Sequence, residues 1–334
     1  MDDGPRSLRV LQVLGDTDDD DDGRAALDLH RQLTRAGIEI RTLALAPGTQ
    51  AGLASIVPTM SPSARSIAAH TQLRREQRWA DVVVLRGEAP AAAAGLAHVR
   101  TAPPTVLALG VEAQRWLTGP VPPRVVRLVG RVAAVVVTCG ADATVGDRLG
   151  LGAGAVRVIP YGVDAGTVVT SAQRAAARSG LGLPDDVLVA HLVGRGPALD
   201  AARRRADELG VARTEAEAVD DRVVRFGDAE EPDRTELVVA AADLVVAAGE
   251  VAGPPPAVLS AAAAGLAVVG PSSGALGDLV DDTTGWSELD AAVAAGTDEV
   301  RRRGAVAAQR VQQRFALADV GAEWEAVLRS VAGR

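Results

Sequence analysis

The stretch from Glu236 to Gly285, ELVVAAADLVVAAGEVAGPPPAVLSAAAAGLAVVGPSSGALGDLVDDTTG, decides the fold. Its runs Leu244–Ala247 and Ala267–Val269 are short, Val-rich and bounded by Asp or Gly, as strands buried on both faces of a parallel sheet are. Between them, Ala257–Ala264 has the alanine content of a helix, preceded by three prolines and stopped at Gly265. Strand, helix, strand in that order is one unit of a parallel sheet covered by helices.

The same alternation runs outward along nearly the whole chain. Leu8–Leu14 reads as a strand, Arg24–Ala36 as a helix with Leu29, Leu33 and Ala36 on one face and Gly37 as its stop, and Ile38–Leu45 as a second strand. Further strands are predicted at Asp81–Leu85, Thr105–Leu109, Ala133–Thr138 and Val156–Ile159, completing one doubly wound domain. After Val156–Val169 the pattern restarts, with strands at Val187–Val193 and Arg222–Phe226 and helices at Pro197–Leu209, Arg234–Ala241 and Asp290–Arg303. A closing helix is predicted near Val320–Val331. A chain of 334 residues exceeds one ordinary core, so two domains of roughly 150 residues are expected. The boundaries are 1–163 and 164–334, with the second domain smaller and the final helix packing back on the first.

Composition narrows the function classes. Hydrophobic residues make up 48% and charged residues 23%, the balance of a globular protein rather than a disordered one. Aromatics are 2%, so stacking platforms for bases or sugars are scarce and the core must be built from Ala, Val and Leu. A net charge of -8 argues against a nucleic-acid partner. All 35 basic residues are Arg, so no ammonium side chain serves as base, Schiff-base former or phosphate anchor. Cys139 is the single cysteine, which excludes an internal disulfide and a zinc cluster. With the acidic start MDDGPRSLRV, which is no signal peptide, it fits a cytoplasmic address. The apolar stretch Pro254–Gly270 is too short to span a bilayer, so no transmembrane segment is expected; contact with a membrane surface stays open.

Seven segments in order carry a family resemblance: VIPYGVD (Val158–Asp164), VGRGPALDAARRRADELGV (Val193–Val211), DRVVRFG (Asp221–Gly227), LVVAAADLVV (Leu237–Val246), GEVAG (Gly249–Gly253), AAAAGLAVVG (Ala261–Gly270) and GALGDLVDDTTGW (Gly274–Trp286). Together they resemble the retaining GT-B glycosyltransferases of the group 1, family four, type. The resemblance implies an α/β chain of two Rossmann-like domains facing across a cleft, with an acceptor-side N-terminal domain and a nucleotide-sugar-side C-terminal domain. It implies a nucleotide diphosphate sugar as substrate, no separate cofactor and no metal, with helix N-termini meeting the diphosphate.

Carried over residue by residue, Glu250 takes the place of the sugar-contacting Glu and Arg195 that of the phosphate-facing Arg, as the catalytic pair. Gly194, Gly196, Gly253 and Ser260 fall on the donor-binding positions, Ser260 replacing a ribose-holding Glu. Gly15 and Gly23 bracket the acidic run Asp16–Asp22, where the family has its glycine-rich loop; like charges make a solvated loop there the default. The chain departs from the pattern at the Lys that would accompany Arg195, at Gly110 where a His is common, and at Pro254–Pro256, which have no N–H to offer a phosphate. The first C-terminal strand and helix of the family are missing or fused, giving a shortened second domain. Arg203–Arg205 read as a solvated face, Trp286 and Trp324 as packing, and Cys139 as a small buried hydrophobe.

The functional expectation is transfer of a hexose from a nucleotide sugar to a glycan, lipid or small-molecule acceptor. The alternative, resting on the missing Lys, Glu and His, is a catalytically impaired glycosyltransferase that serves as a binding or scaffold partner of another protein. A nucleotide-sugar epimerase lacks supporting motifs.

Overall fold

The computed structural model of the chain describes residues 7–15, 21–46, 67–96, 103–129, 131–152, 154–164, 168–194, 196–215, 218–219, 222–223, 233–249, 255–272 and 276–333. The chain divides into two compact units, 1–162 with 317–334, and 163–316.

The first unit is a parallel sheet of β1 (Arg9–Leu14), β2 (Glu39–Ala44), β3 (Val82–Arg86), β4 (Thr105–Leu109), β5 (Val132–Val137) and β6 (Val156–Val158), in the order β2-β1-β3-β4-β5-β6. Its helices are α1 (Asp21–Arg35), α2 (Ile67–Trp79), α3 (Glu88–Leu96), α4 (Val111–Thr118), α5 (Pro123–Val129) and α6 (Val145–Arg148). Side chains alternate across the sheet with period two. Val82, Val84, Val106, Ala108, Ala134 and Val136 join Leu29 and Leu33 of α1 and Val320, Trp324 and Leu328 of the last helix. Val83, Leu85, Leu107, Leu109, Val135 and Val137 instead meet Leu73, Trp116, Val125 and Leu128 of the helices on the opposite face. The near absence of polar residues in these strands follows from that double burial.

Where α1 was predicted from Arg24 it begins at Asp21, so Asp21 and Asp22 belong to a helix and not to a loop. Acidic residues are favoured in a first helical turn, where the macrodipole is positive. Asp16–Asp20 lie outside the described residues. Cys139 is buried at the end of β5 and its thiol donates to the Asp142 carboxylate at 3.2 Å. Burial, with that carboxylate beside it, pushes the thiol up to about 11.

The second unit holds a five-stranded parallel sheet of β7 (Val189–Gly194), β8 (Ala212–Glu215), β11 (Leu244–Ala248), β12 (Ala267–Val269) and β13 (Gly285–Trp286), in the order β13-β12-β11-β7-β8. A separate antiparallel pair is β9 (Ala218–Val219) with β10 (Arg222–Val223). The helices are α7 (Ser171–Leu181), α8 (Gly196–Glu208), α9 (Asp233–Ala241), α10 (Pro256–Ala263), α11 (Leu289–Ala295) and α12 (Thr297–Arg314); α13 (Leu317–Val331) closes the chain in the first unit.

Two expectations need correction, and one helix was not foreseen. The strand predicted at Arg222–Phe226 is seen at Arg222–Val223, with 224–226 outside the described residues, and it does not join the parallel sheet beside β7. Ala212–Glu215 takes that place, and Arg222–Val223 pairs antiparallel with Ala218–Val219. The segment VARTE holds one large aliphatic residue, too weak a signal beside VVRF. The helix predicted at Asp290–Arg303 is two helices, because Gly296 adopts φ 81° between them. Helix α7 was not anticipated, although Thr170 and Gln173 form a complete capping box at its start.

Much of the decisive stretch is architecture. Asp243, 1% exposed, stands at the amino end of β11. Its carboxylate accepts from the Arg178 guanidinium and from the Val189 N–H at 3.1 Å, with Arg301 at 3.4 Å. Arg178, 2% exposed, also donates to the carbonyls of Ala241 and Asp185 at 2.9 and 3.0 Å, tying α7 to the end of α9 and to the loop before β7. In DDTTG, Asp281 accepts from the N–H groups of Thr283 and Thr284 at 2.8 and 3.2 Å, and the Thr284 hydroxyl donates to the Leu279 carbonyl at 2.7 Å. That turn delivers Gly285 so close to β12 that a Cβ would stand 2.0 Å from the Val268 carbonyl oxygen.

Candidate functional site

In an open parallel sheet, ligands bind at the carboxyl ends of the strands where the chain order reverses direction. In the second unit, the chain leaves β7 toward β8 on one side and later runs β11, β12, β13 on the other, so the reversal lies between β7 and β11. These strands pair in register from Leu244 opposite Ala190 to Ala248 opposite Gly194.

At that carboxyl edge no side chain fits on Gly194: φ is 156°, and a Cβ would lie 2.2 Å from the Ala248 carbonyl oxygen. Gly196, φ 58°, opens the 13-residue helix α8, where Pro197 has no N–H and the N–H groups of Gly196 and Ala198 have no intrahelical acceptor. Gly249 follows β11 with φ 106°. The glycine turn predicted at Gly194–Gly196 is therefore at the reversal point, with a helix dipole directed at it. Arg195, Glu250 and Gly253 lie outside the described residues.

Ser260 is on α10, with its side chain exposed while its neighbours Leu259 and Ala261 are fully buried. Pro255 precedes this helix in an extended conformation, φ -59° and ψ 142°, and Pro256 is its first residue. Because the Leu259 N–H already bonds the Pro255 carbonyl at 2.9 Å, α10 offers the N–H groups of Ala257 and Val258 alone at its start. The proline run thus both rigidifies the helix start and thins its donors.

In the first unit the reversal lies between β1 and β3. Gly15 ends β1 with open space where a side chain would be, whereas Gly23 is buried in α1. Sequence reasoning missed Gly87 and Glu112. Gly87 follows β3 with φ 79°, and the Glu112 carboxylate stands 2.8 Å from where its Cβ would be. The available signal was a glycine directly after each of β3 and β4, at Gly87 and Gly110.

Beneath this edge runs a buried polar chain. Arg86 Nε donates to Gln12 Oε1 at 2.9 Å, Gln12 Nε2 donates to Thr42 Oγ1 at 3.1 Å and to the Ala26 carbonyl at 2.9 Å, and His30 Nδ1 lies 2.9 Å from Thr42 Oγ1. Burial, and secondarily the Arg31 charge, lower the His30 pKa. The Arg86 guanidinium also lies 5.3 Å from the Trp324 ring. Asp28, Arg86, Thr138, Tyr161 and Trp324 are among the residues that line an adjoining cavity. This chain fastens α1 and α13 to the sheet.

No protein-family model matches the sequence, and no curated protein matches it. Solved structures do match along its length. HepE from Anabaena, crystallised with UDP-glucose, superposes with a TM-score of 0.71 at 15% identity, covering 97% of this chain and 100% of that one. A glycosyltransferase from Rickettsia africae gives 0.70 at 12% identity, over 98% and 99% of the two chains. Sucrose-phosphate synthase from Thermosynechococcus elongatus gives 0.65 at 15%, again over 98% and 99%. The fold is GT-B, two Rossmann-like units in one chain.

Proposed function

We propose that the chain is a glycosyltransferase that moves a hexose from a nucleotide diphosphate sugar to a glycan, lipid or small-molecule acceptor, with the donor held by the second unit. The observation that carries this reading is the crevice between β7 and β11, where Gly194 and Gly196 bring the start of α8 to the carboxyl edge of a GT-B sheet. The UDP-glucose complex of HepE supports it by fold.

In this reading the diphosphate rests on the N–H groups of Gly196 and Ala198 at the start of α8, beside the glycine turn at the carboxyl edge of β7. Transfer breaks the bond from the sugar's anomeric carbon to the diphosphate and forms one to an acceptor hydroxyl, whose proton is released. Negative charge grows on the departing diphosphate, and Arg195, in the glycine turn, neutralises it without the partner lysine that this chain lacks. Glu250 contacts the sugar, and Gly253 and the Ser260 hydroxyl belong to the donor side. Gly15, directly after β1, and Gly23, within α1, lie on the acceptor side. The nucleotide sugar is consumed as substrate, so no further cofactor enters. Among the described residues no helix is long and apolar enough to cross a membrane, and a cytoplasmic address is part of the proposal.

The test is a thermal-shift screen with UDP, GDP, ADP and their sugars. A ligand at about a hundred times its dissociation constant adds roughly 2.7 kcal/mol of stability, enough to raise the melting temperature by several degrees. One nucleotide class should shift the protein. A screen in which none does removes the donor site.

A further inference from the structure

Three arginines share one carboxylate at the amino edge of the second sheet. The Oδ2 of Asp243 accepts from Arg178, while Arg301 Nε and Arg174 Nε stand 3.4 and 3.9 Å from its other oxygen, Oδ1. Both outer arginines therefore address the same atom, Arg174 from α7 and Arg301 from α12. Strands β7 and β11 begin beside this cluster, and their far ends, Gly194 and Ala248, frame the crevice proposed for the donor, a strand length or roughly 17 Å away.

The three guanidinium groups are not equally used. Arg178 donates through Nε to the Ala241 carbonyl, through Nη1 to those of Asp185 and Val187, and through Nη2 to Asp243, so the architecture consumes it. Arg174 donates through Nε, to the Ala242 carbonyl at 3.0 Å, and Arg301 through Nε, to Asp243. Among the described residues nothing accepts from the Nη atoms of either. Asp298, one turn before Arg301, is exposed and makes no ion pair with it. The Arg174 side chain is 10% exposed, which leaves it little water in place of a partner. Burial lowers the Arg174 pKa, Asp243 opposes that shift, and the charges of Arg301 and Arg178 add to it. The group stays protonated all the same. Three cations against one anion leave two positive charges uncompensated in a chain whose net charge is -8.

We infer that Arg174 and Arg301 bind a phosphate dianion. Charge selects the class: a carboxylate would cancel half of the surplus, whereas a phosphate dianion cancels all of it and offers oxygens that match guanidinium forks. With one of the two groups nearly buried, the ligand is small; inorganic phosphate and a small phosphate monoester share the required chemistry. Bound there, it holds α7 and α12 together at the start of β11, so occupancy stabilises the second unit without the nucleotide. This site is independent of the glycosyltransferase reading and lies at the other end of the strands from the donor crevice.

The experiment is calorimetric titration of the full chain with inorganic phosphate and, separately, with glycerol 3-phosphate, at an ionic strength fixed with chloride. Saturable binding of at least one is expected. R301Q should weaken it by about 10- to 100-fold, the loss of charged hydrogen bonds, and leave the affinity for the nucleotide selected by the screen unchanged. The variant should fold, because Arg301 is exposed and Asp243 keeps Arg178. Hydrogen exchange on the unaltered chain reads the same site without a substitution: phosphate should slow exchange in α7 and at the start of β11. Tighter binding of glycerol 3-phosphate makes the ligand a monoester, and tighter binding of phosphate makes it the free ion. No saturable binding of either, or equal binding by R301Q, overturns the inference. So does protection confined to the start of α8, which would put the anion in the donor crevice.

Discussion

Glu250→Gln is expected to lower turnover by roughly 10²- to 10³-fold while changing nucleotide affinity by less than about tenfold. In the proposed site the carboxylate acts on the sugar as charge develops at the anomeric carbon, and the nucleotide is held elsewhere. A group used mainly in the transition state shows its loss in kcat rather than in binding of the free nucleotide. Donor hydrolysis gives the rate without knowledge of the acceptor, and calorimetric titration with the nucleoside diphosphate gives the affinity. Equal rates for the two proteins would remove Glu250 from the chemistry; parallel losses in rate and affinity would move it to the nucleotide.

Asp243→Ala is expected to cost about 3–5 kcal/mol, because it leaves the Arg178 guanidinium buried without its counter-charge. The Val189 N–H loses its acceptor as well, at the start of β7, the neighbour of β11. The chain has two units and need not unfold in one step, so the measurement is urea unfolding followed by circular dichroism, with hydrogen exchange on β7 and β11 to locate the change. The second unit should open at lower urea while the first keeps its midpoint. A shift below about 1 kcal/mol would mean that the arginine cluster satisfies itself through backbone carbonyls alone.

The doubly wound pattern was legible because both sheets are parallel and buried on two faces, so strands such as VVVLR and LVVAA stand out from helices by composition alone. Ala212–Glu215 was not, since Arg213, Thr214 and Glu215 interrupt its apolar pattern and its place in the sheet depends on β7. The candidate site was half legible. Gly194 and Gly196 could be placed from sequence because a strand followed by a glycine turn and a helix forces that geometry. Gly87 and Glu112 come together only through the neighbouring strands β3 and β4, a contact between residues 25 positions apart in the chain. Within the family-like motif, Asp243, Asp281, Thr284 and Gly285 are explained by the sheet and its turns.

The central claim is that a nucleotide sugar is held where β7 and β11 diverge. Hydrogen exchange with and without the nucleoside diphosphate selected by the screen tests it most directly. The claim predicts slowed exchange at the start of α8 and in the residues following β11, with the edges of the first unit unchanged by the nucleotide alone. Protection confined to the first unit, or a nucleotide that binds without protecting the start of α8, would contradict it.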